Sequence, residues 1–281
     1  MYDLTSPSVI RHLCDEFGFS FKKGFGQNFL TDADVLLSIA EAAGSEGVLE
    51  IGPGFGTLTA VLGNRAKKVV SIEIDRTLEP VLKTTLAGFD NIKIHFADVM
   101  KTDLEKLINE EFPGMSLSVA ANLPYYVTSP ILMKLLEEKL PFENIVVMVQ
   151  KEVAERIVAK PGTKDYGALT LAVSYYADAE IITTVPAESF VPAPKVDSAV
   201  VSMKLLKEPP IDAPEKDYFR LVKASFAQRR KTMLNALSNA GFYGSKDDIK
   251  AVLESLGYDS NLRGETLSMK EFSEIAKRFT K

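Results

Sequence analysis

Short apolar runs alternate with stretches of helical spacing through the first two-thirds of the chain. Val48–Ile51, Val69–Ile74, Ile92–Phe96, Leu117–Ala121 and Ile145–Gln150 have the length and β-branched content of buried strands. Between them, Leu58–Leu62, Leu78–Leu86 and Pro130–Leu136 repeat their apolar residues at helical intervals. Such alternation predicts right-handed βαβ crossovers and a mostly parallel sheet covered on both faces. Two later β-rich runs, Ile181–Val185 and Ser198–Leu205, are expected to add an antiparallel edge. At 207–214 the pattern stops in a Pro-rich, charged stretch with no periodicity, which marks a linker. Beyond it the spacing is helical to the end, in Tyr218–Phe226, Thr232–Leu237, Ile249–Leu256 and Phe272–Phe279. The predicted fold class is α/β, a Rossmann-like sheet over residues 1–207 followed by a small all-helical domain over 208–281.

Composition narrows the class. The chain has 281 residues, 46% hydrophobic and 25% charged, enough apolar content for one large core and a smaller one. The N-terminus carries Asp3, Arg11, Asp15 and Glu16 and no apolar h-region, so no signal peptide is expected. No apolar run approaches a membrane span. A single cysteine, Cys14, excludes an internal disulfide and suits a reducing, cytoplasmic compartment. With two histidines, His12 and His95, far apart, a thiolate or imidazole metal site is not expected. A Ser-His-Asp hydrolase is equally poorly served, and Cys14 reads as a packing residue. The net charge of −5 argues against a nucleic-acid partner, because phosphate binding depends on Lys and Arg displacing counterions. Local clusters weaken that objection: Lys22-Lys23, the region of Lys160, Lys164 and Lys195, and Arg229-Arg230-Lys231.

The candidate chemistry lies at strand ends. Glu50-Ile51-Gly52-Pro53-Gly54-Phe55-Gly56 follows the first strand and opens a helix, so backbone can approach a ligand and helix N–H groups are presented. The spacing departs from the dinucleotide fingerprint, and no P-loop Lys-Ser/Thr follows. Instead E-x-G-x-G-x-G resembles the first motif of S-adenosylmethionine-dependent methyltransferases. Glu73 ends the second strand, where a carboxylate can accept from both ribose hydroxyls; Asp98 follows the third, where it can accept from an adenine amino group. Asn122-Leu123-Pro124-Tyr125 ends the fourth. The Asn122 side-chain oxygen and the Pro124 carbonyl can both accept from an exocyclic –NH2, and Tyr125 offers a stacking face. All four groups would sit at the carboxyl ends of parallel strands, the crevice where open α/β sheets bind ligands.

In this order the motifs resemble the ribosomal RNA small-subunit adenine N6-dimethyltransferases, the KsgA family, over about Gly24 to Leu237. Gly26-Gln27-Asn28-Phe29-Leu30 is similar to the family's N-terminal cofactor motif, in which Asn28 and Leu30 would touch the methionine part of the cofactor and Gln27 would be a further cofactor-binding residue. Gly52, Gly54, Glu73, Asp98 and Asn122 match its remaining cofactor positions. Phe190-Val191-Pro192-Ala193-Pro194-Lys195-Val196-Asp197-Ser198 resembles its F-x-P-x-P-x-V-x-S segment, and Phe226 to Asn235 its helical-domain signature.

The resemblance implies a class I methyltransferase that uses S-adenosylmethionine to dimethylate two adjacent adenosines in the 3′-terminal hairpin of small-subunit rRNA. Asn122, Pro124, Tyr125 and Phe190 would form the catalytic group, with Tyr125 and Phe190 sandwiching the base. Lys22, Lys23, Lys195, Arg229, Arg230 and Lys231 would grip RNA in an assembly intermediate. A cytoplasmic monomer is expected, with no metal, membrane or DNA partner. The alternatives are a large-subunit rRNA adenine methyltransferase of the macrolide-resistance type and a mainly non-catalytic ribosome-assembly factor.

Overall fold

The computed structural model describes residues 2–21, 27–228, 230–259 and 261–280. Lys22, Lys23, Gly26 and Arg229 lie outside them. By packing, the chain forms two units: Met1–Ala154 with Ala179–Leu205, and Glu155–Asp178 with Leu206–Lys281.

The first unit opens with α1 (Pro7–Glu16), started by proline at its first turn, followed by a two-residue strand β1 (Phe29–Leu30) and α2 (Ala33–Ala43). Asp32 caps α2, its Oδ1 accepting the N–H groups of Asp34 at 3.1 Å and Val35 at 3.2 Å. The alternating section then runs β2 (Gly47–Ile51), α3 (Thr57–Gly63), β3 (Lys68–Glu73), α4 (Glu79–Thr85), β4 (Ile92–Phe96), α5 (Leu104–Glu111), β5 (Leu117–Asn122), α6 (Thr128–Glu137) and β6 (Phe142–Gln150). After α7 (Lys151–Ile157) and α8 (Ala168–Tyr176) the chain returns as β7 (Ala177–Val185), a short β8 (Phe190–Val191) and β9 (Ser198–Leu205).

The main sheet has the order β4-β3-β2-β5-β6-β9-β7. β4, β3, β2, β5 and β6 are parallel, and β9 runs antiparallel to β6. The expected antiparallel addition is present, with β9 inserted beside β6 and β7 outermost. β2 is buried along its whole length and β5 as far as Ala121, as both-face coverage by helices requires. Register sets the site: Ile51 lies opposite both Ile72 and Ala121. The next residues, Gly52, Glu73 and Asn122, therefore leave the sheet at one level. A separate ribbon pairs β1 with β8, Phe29 opposite Val191 and Leu30 opposite Phe190.

The second unit contains α8 and the later helices α9 (Glu215–Phe226), α10 (Met233–Ala240), α11 (Lys246–Ser255) and α12 (Met269–Phe279). Cutting the chain once at 207/208 is thus corrected: 155–178 joins the C-terminal helices. The cause is specific packing. The Tyr175 ring stacks on Tyr218 of α9 at 5.4 Å, Tyr176 donates its hydroxyl to Glu215 at 2.7 Å, and Tyr166 donates to the Leu267 carbonyl at 2.7 Å. Thr232 caps α10, while Ser245 and Ser268 form capping boxes on α11 and α12 with Asp248 and Glu271. No described helix is long and apolar enough to cross a membrane.

Asp32 also accepts the Ser189 hydroxyl at 3.1 Å, joining the start of α2 to the β1–β8 ribbon. Asp32→Ala is expected to lower stability by about 1–2 kcal/mol, read as a lower urea midpoint with an unchanged denaturant slope.

Candidate active site

At the carboxyl edge of the parallel strands lies a cavity of about 300 Å³. It is lined by Gln27, Asn28, Leu30, Gly52, Gly54, Glu73, Asp98, Asn122, Pro124 and Tyr125, which are ten of the sequence-derived site residues. Pocket and topology agree, since the carboxyl ends of parallel strands are where open sheets leave a crevice.

The glycine loop needs its glycines. Gly52, Gly54 and Gly56 have φ of 74°, 58° and 87°, a region that side chains strain to occupy. A Cβ on Gly52 would meet no atom within 4 Å, so bare backbone faces open space. A Cβ on Gly54 would stand 2.6 Å from the Phe29 ring, which itself stacks on Phe55 at 4.4 Å. The loop and the 27–30 segment thereby hold each other, which brings Asn28 and Leu30 to the cavity.

The acids are arranged in two tiers. Glu73 is buried and accepts the N–H groups of Asp75 at 2.7 Å and Gly54 at 3.3 Å. Burial pushes its carboxyl up to about 7, with the neighbouring Asp75 charge adding to the rise against those backbone donors. Deeper, Glu50 accepts the Thr59 hydroxyl at 2.7 Å and the Ser71 hydroxyl at 2.6 Å on one oxygen, while its Oε1 has no partner among the described residues. Burial raises this carboxyl to about 7 as well. Because both folded-state values exceed the ordinary 4.5, the folded chain retains protons that the unfolded one releases. The contribution of these two groups to stability therefore declines as pH rises from about 4.5 to 7. Asp98 is only partly buried; its Oδ1 accepts the Met100 N–H at 2.9 Å, and Lys101 lies 3.7 Å from its other oxygen.

At the other end, Asn122 donates its amide nitrogen to the Asn28 carbonyl at 3.0 Å. That bond fixes the flip of the amide and turns Oδ1 the opposite way. Gln27 spends an N–H on Asp75 at 3.1 Å, so it braces the cavity wall. The Pro124 carbonyl differs from expectation. It accepts the Val127 N–H at 3.1 Å and the Thr128 hydroxyl at 3.0 Å in the turn that opens α6, which uses both its lone pairs. The preceding carbonyl, that of Leu123, takes no protein donor among the described residues, and Leu123 lines the cavity.

Phe190 is not brought to the cavity. Opposite Leu30 in the ribbon, Phe190 is 3% exposed in a cluster with Leu36, Ile39, Val185 and Val200, so the expected sandwich with Tyr125 is corrected. Tyr126, which sequence reasoning passed over, lines the mouth and is 60% exposed. Among the described basic residues, Lys195 is exposed in the first unit, and Arg230 and Lys231 are exposed ahead of α10 in the second. Neither histidine lines the cavity: His12 lies beside Glu16 on α1, and His95 contacts Glu111 at the β4 edge.

An open sheet with a glycine loop, an acid on the next strand and an Asn-x-Pro-Tyr turn defines a class I methyltransferase. The chain belongs to the family described as Ribosomal RNA adenine dimethylase, whose model matches residues 18–281. It is 50% identical to the Ribosomal RNA small subunit methyltransferase A of Geobacillus thermodenitrificans (strain NG80-2) over 98% of the chain and 96% of that protein. To the protein of the same name from Bacillus cereus (strain B4264) it is 48% identical, over 98% and 97%. A dimethyladenosine transferase from Plasmodium falciparum superposes with a TM-score of 0.74 at 29% identity, covering 89% of this chain and 96% of that one. The 23S rRNA methyltransferase ErmE does so at 0.67 and 27% identity, covering 90% and 99%.

Gly54→Ala should displace Phe29 and impose strain at φ 58°. A stability loss of about 2 kcal/mol is expected, with loss of cofactor binding in calorimetry.

Proposed function

We propose that the chain transfers methyl groups from S-adenosylmethionine to N6 of two adjacent adenosines in the 3′-terminal hairpin of small-subunit rRNA. The observation that carries this reading is one cavity that joins the bare Gly52 backbone and the Glu73 and Asp98 carboxylates to the oriented amide of Asn122. Near full-length identity of 48–50% to small-subunit enzymes supports that subunit over the large one, despite the likeness of fold to ErmE.

The cavity residues fit the cofactor. Glu73, at the end of β3, is suited to accept the ribose hydroxyls, and Asp98 to accept from the adenine amino group. Asn28 and Leu30 would lie at its methionine end, with the bare backbone of Gly52 leaving room beside it. When bound, S-adenosylmethionine supplies a methyl on a sulfonium, whose departure as a neutral thioether makes positioning the main catalytic task. Asn122 Oδ1 holds one N6 hydrogen and the Leu123 carbonyl the other, since the Pro124 carbonyl is already committed. Together they draw the delocalised amine towards tetrahedral geometry and stabilise the positive charge that develops there. Tyr125 supplies a stacking face worth roughly 1–3 kcal/mol. The alkylated ammonium is acidic and sheds its proton without a strong base, in keeping with histidines that stand away from the cavity. Monomethyl adenine keeps one N6 hydrogen, so after the amine rotates one of the two acceptors still holds it for the second transfer.

A base held this way must leave its stack, which favours a hairpin loop over a duplex. Arg229, Arg230 and Lys231, with Lys22, Lys23 and Lys195, are proposed to contact the rRNA backbone of an assembly intermediate, the enzyme acting as a cytoplasmic monomer. Incubation of undermethylated small subunits with labelled cofactor, followed by mass spectrometry of rRNA fragments, tests the assignment. Label confined to large-subunit rRNA, or none, would overturn it.

Asn122→Ala is expected to lower kcat at least a hundredfold, on the order of losing an electrostatic stabiliser, while cofactor affinity falls only severalfold. Full activity on undermethylated subunits would remove Asn122 from the mechanism. Charge reversal at Arg229, Arg230 and Lys231 should weaken RNA binding and flatten its dependence on log salt by about one unit per lost phosphate contact. Ribose hydroxyls donate best to a charged Glu73, whose carboxyl is raised to about 7. Cofactor affinity should therefore fall as pH drops below that value, by up to about tenfold per unit, and Glu73→Gln should show a flat profile in calorimetric titrations.

A further inference from the structure

Ser198 is the first residue of β9 and is fully buried. It lies opposite Gln150, so β9 begins at the same edge of the sheet where β5 ends. From there its Oγ lies 2.7 Å from the hydroxyl of Tyr125, 73 residues earlier in the chain. Tyr125 is thus held at both ends. Its backbone sits in the turn that the Val127 N–H and the buried Thr128 hydroxyl tie to the Pro124 carbonyl, and its phenol is tied to β9. Of the two soft torsions of a tyrosine side chain, fixing both ends locks the first and with it the direction of the ring's long axis, while the second turns the ring about that axis, on which the hydroxyl lies. Burial also pushes the phenol upward from its usual range, so it stays neutral and serves as an anchor for the ring.

We infer that Ser198 is a positioning residue, which sets the long axis of the Tyr125 ring through the phenol and so fixes where that ring stands against the acceptor base. The inference rests on the reading of Tyr125 as the stacking surface. It also gives the Phe190–Ser198 segment its link to the chemistry through its last residue, since Phe190 is in the core. A ring free to swing away from β9 would let the base sample poses in which N6 misses the methyl, and small misplacements of reacting atoms are costly in rate.

The test compares wild type, Ser198→Ala, Tyr125→Phe and the double variant on undermethylated small subunits, measuring kcat, KM for the subunit and cofactor affinity. Each single change is expected to lower kcat by about tenfold, the scale of a modest misalignment, with cofactor affinity within about twofold of wild type. The double variant should be no worse than the poorer single, because both remove one hydrogen bond. Ser198→Thr, which keeps the hydroxyl, should recover most of the rate. Wild-type kcat in Ser198→Ala, or a double-variant loss equal to the product of the single losses, would overturn the inference. Should Ser198→Ala fail to fold, Tyr125→Phe removes the same bond from the other side, and wild-type kcat there is equally fatal. Tyr125→Ala separates the two layers: full activity defeats the stacking surface itself, whereas a large loss there beside an unaffected Ser198→Ala defeats only the positioning role.

Discussion

Parallel hydrogen-bond register is the constraint on which the site depends. Ile51 is level with Ile72 on one side and Ala121 on the other, so one further residue on each strand brings Gly52, Glu73 and Asn122 to the same height. A slip of one residue would turn every side chain of a strand to the other face of the sheet. Strands packed on both faces resist such a slip, because every side chain fitted against one layer would have to be repacked against the other. The stability of the core and the geometry of the cavity are in this sense one property.

The second layer of the site comes from segments far apart in sequence. Residues 27–32 and 189–191 meet as a small ribbon, with Thr31 donating both its N–H and its hydroxyl to the Ser189 carbonyl at 2.8 and 3.0 Å. Phe29 reaches from that ribbon onto Gly54, and the Asn28 carbonyl orients the Asn122 amide. Phe190 anchors the ribbon in the core. The side chain that makes the fold possible here is therefore a different one from the side chain that touches the chemistry.

Electrostatics divide the cavity into two ends. Around Glu73 and Glu50, burial disfavours charge. Around Asn122 the groups are neutral acceptors on a rigid turn. Neutral acceptors suit an amine that becomes cationic during transfer and must then lose a proton, since they stabilise the charge without trapping it as a buried carboxylate would.

Much of this was legible in the chain. The boundaries of Ile92–Phe96 and Ser198–Leu205 match the strands observed, because strand length, β-branching and flanking turn residues are local signals. The glycine loop, Glu73, Asp98 and Asn122 could be placed in one crevice because strand order and the carboxyl-end rule follow from the βαβ pattern. Other features are properties of pairs of segments. Ala168–Tyr176, an apolar run without a clear period, is a helix because its tyrosines find α9, and that same packing draws 155–178 into the second unit. The burial of Phe190, the committed Pro124 carbonyl and the Ser198–Tyr125 bond depend likewise on which distant residue arrives opposite. Sequence by itself determined the class of fold, the order of the motifs and the kind of chemistry, since these follow from residue types at short spacing. Tertiary structure alone decided which faces those residues present and which of their polar atoms remain available, because a hydrogen bond or a packed ring requires two partners and the chain announces only one at a time.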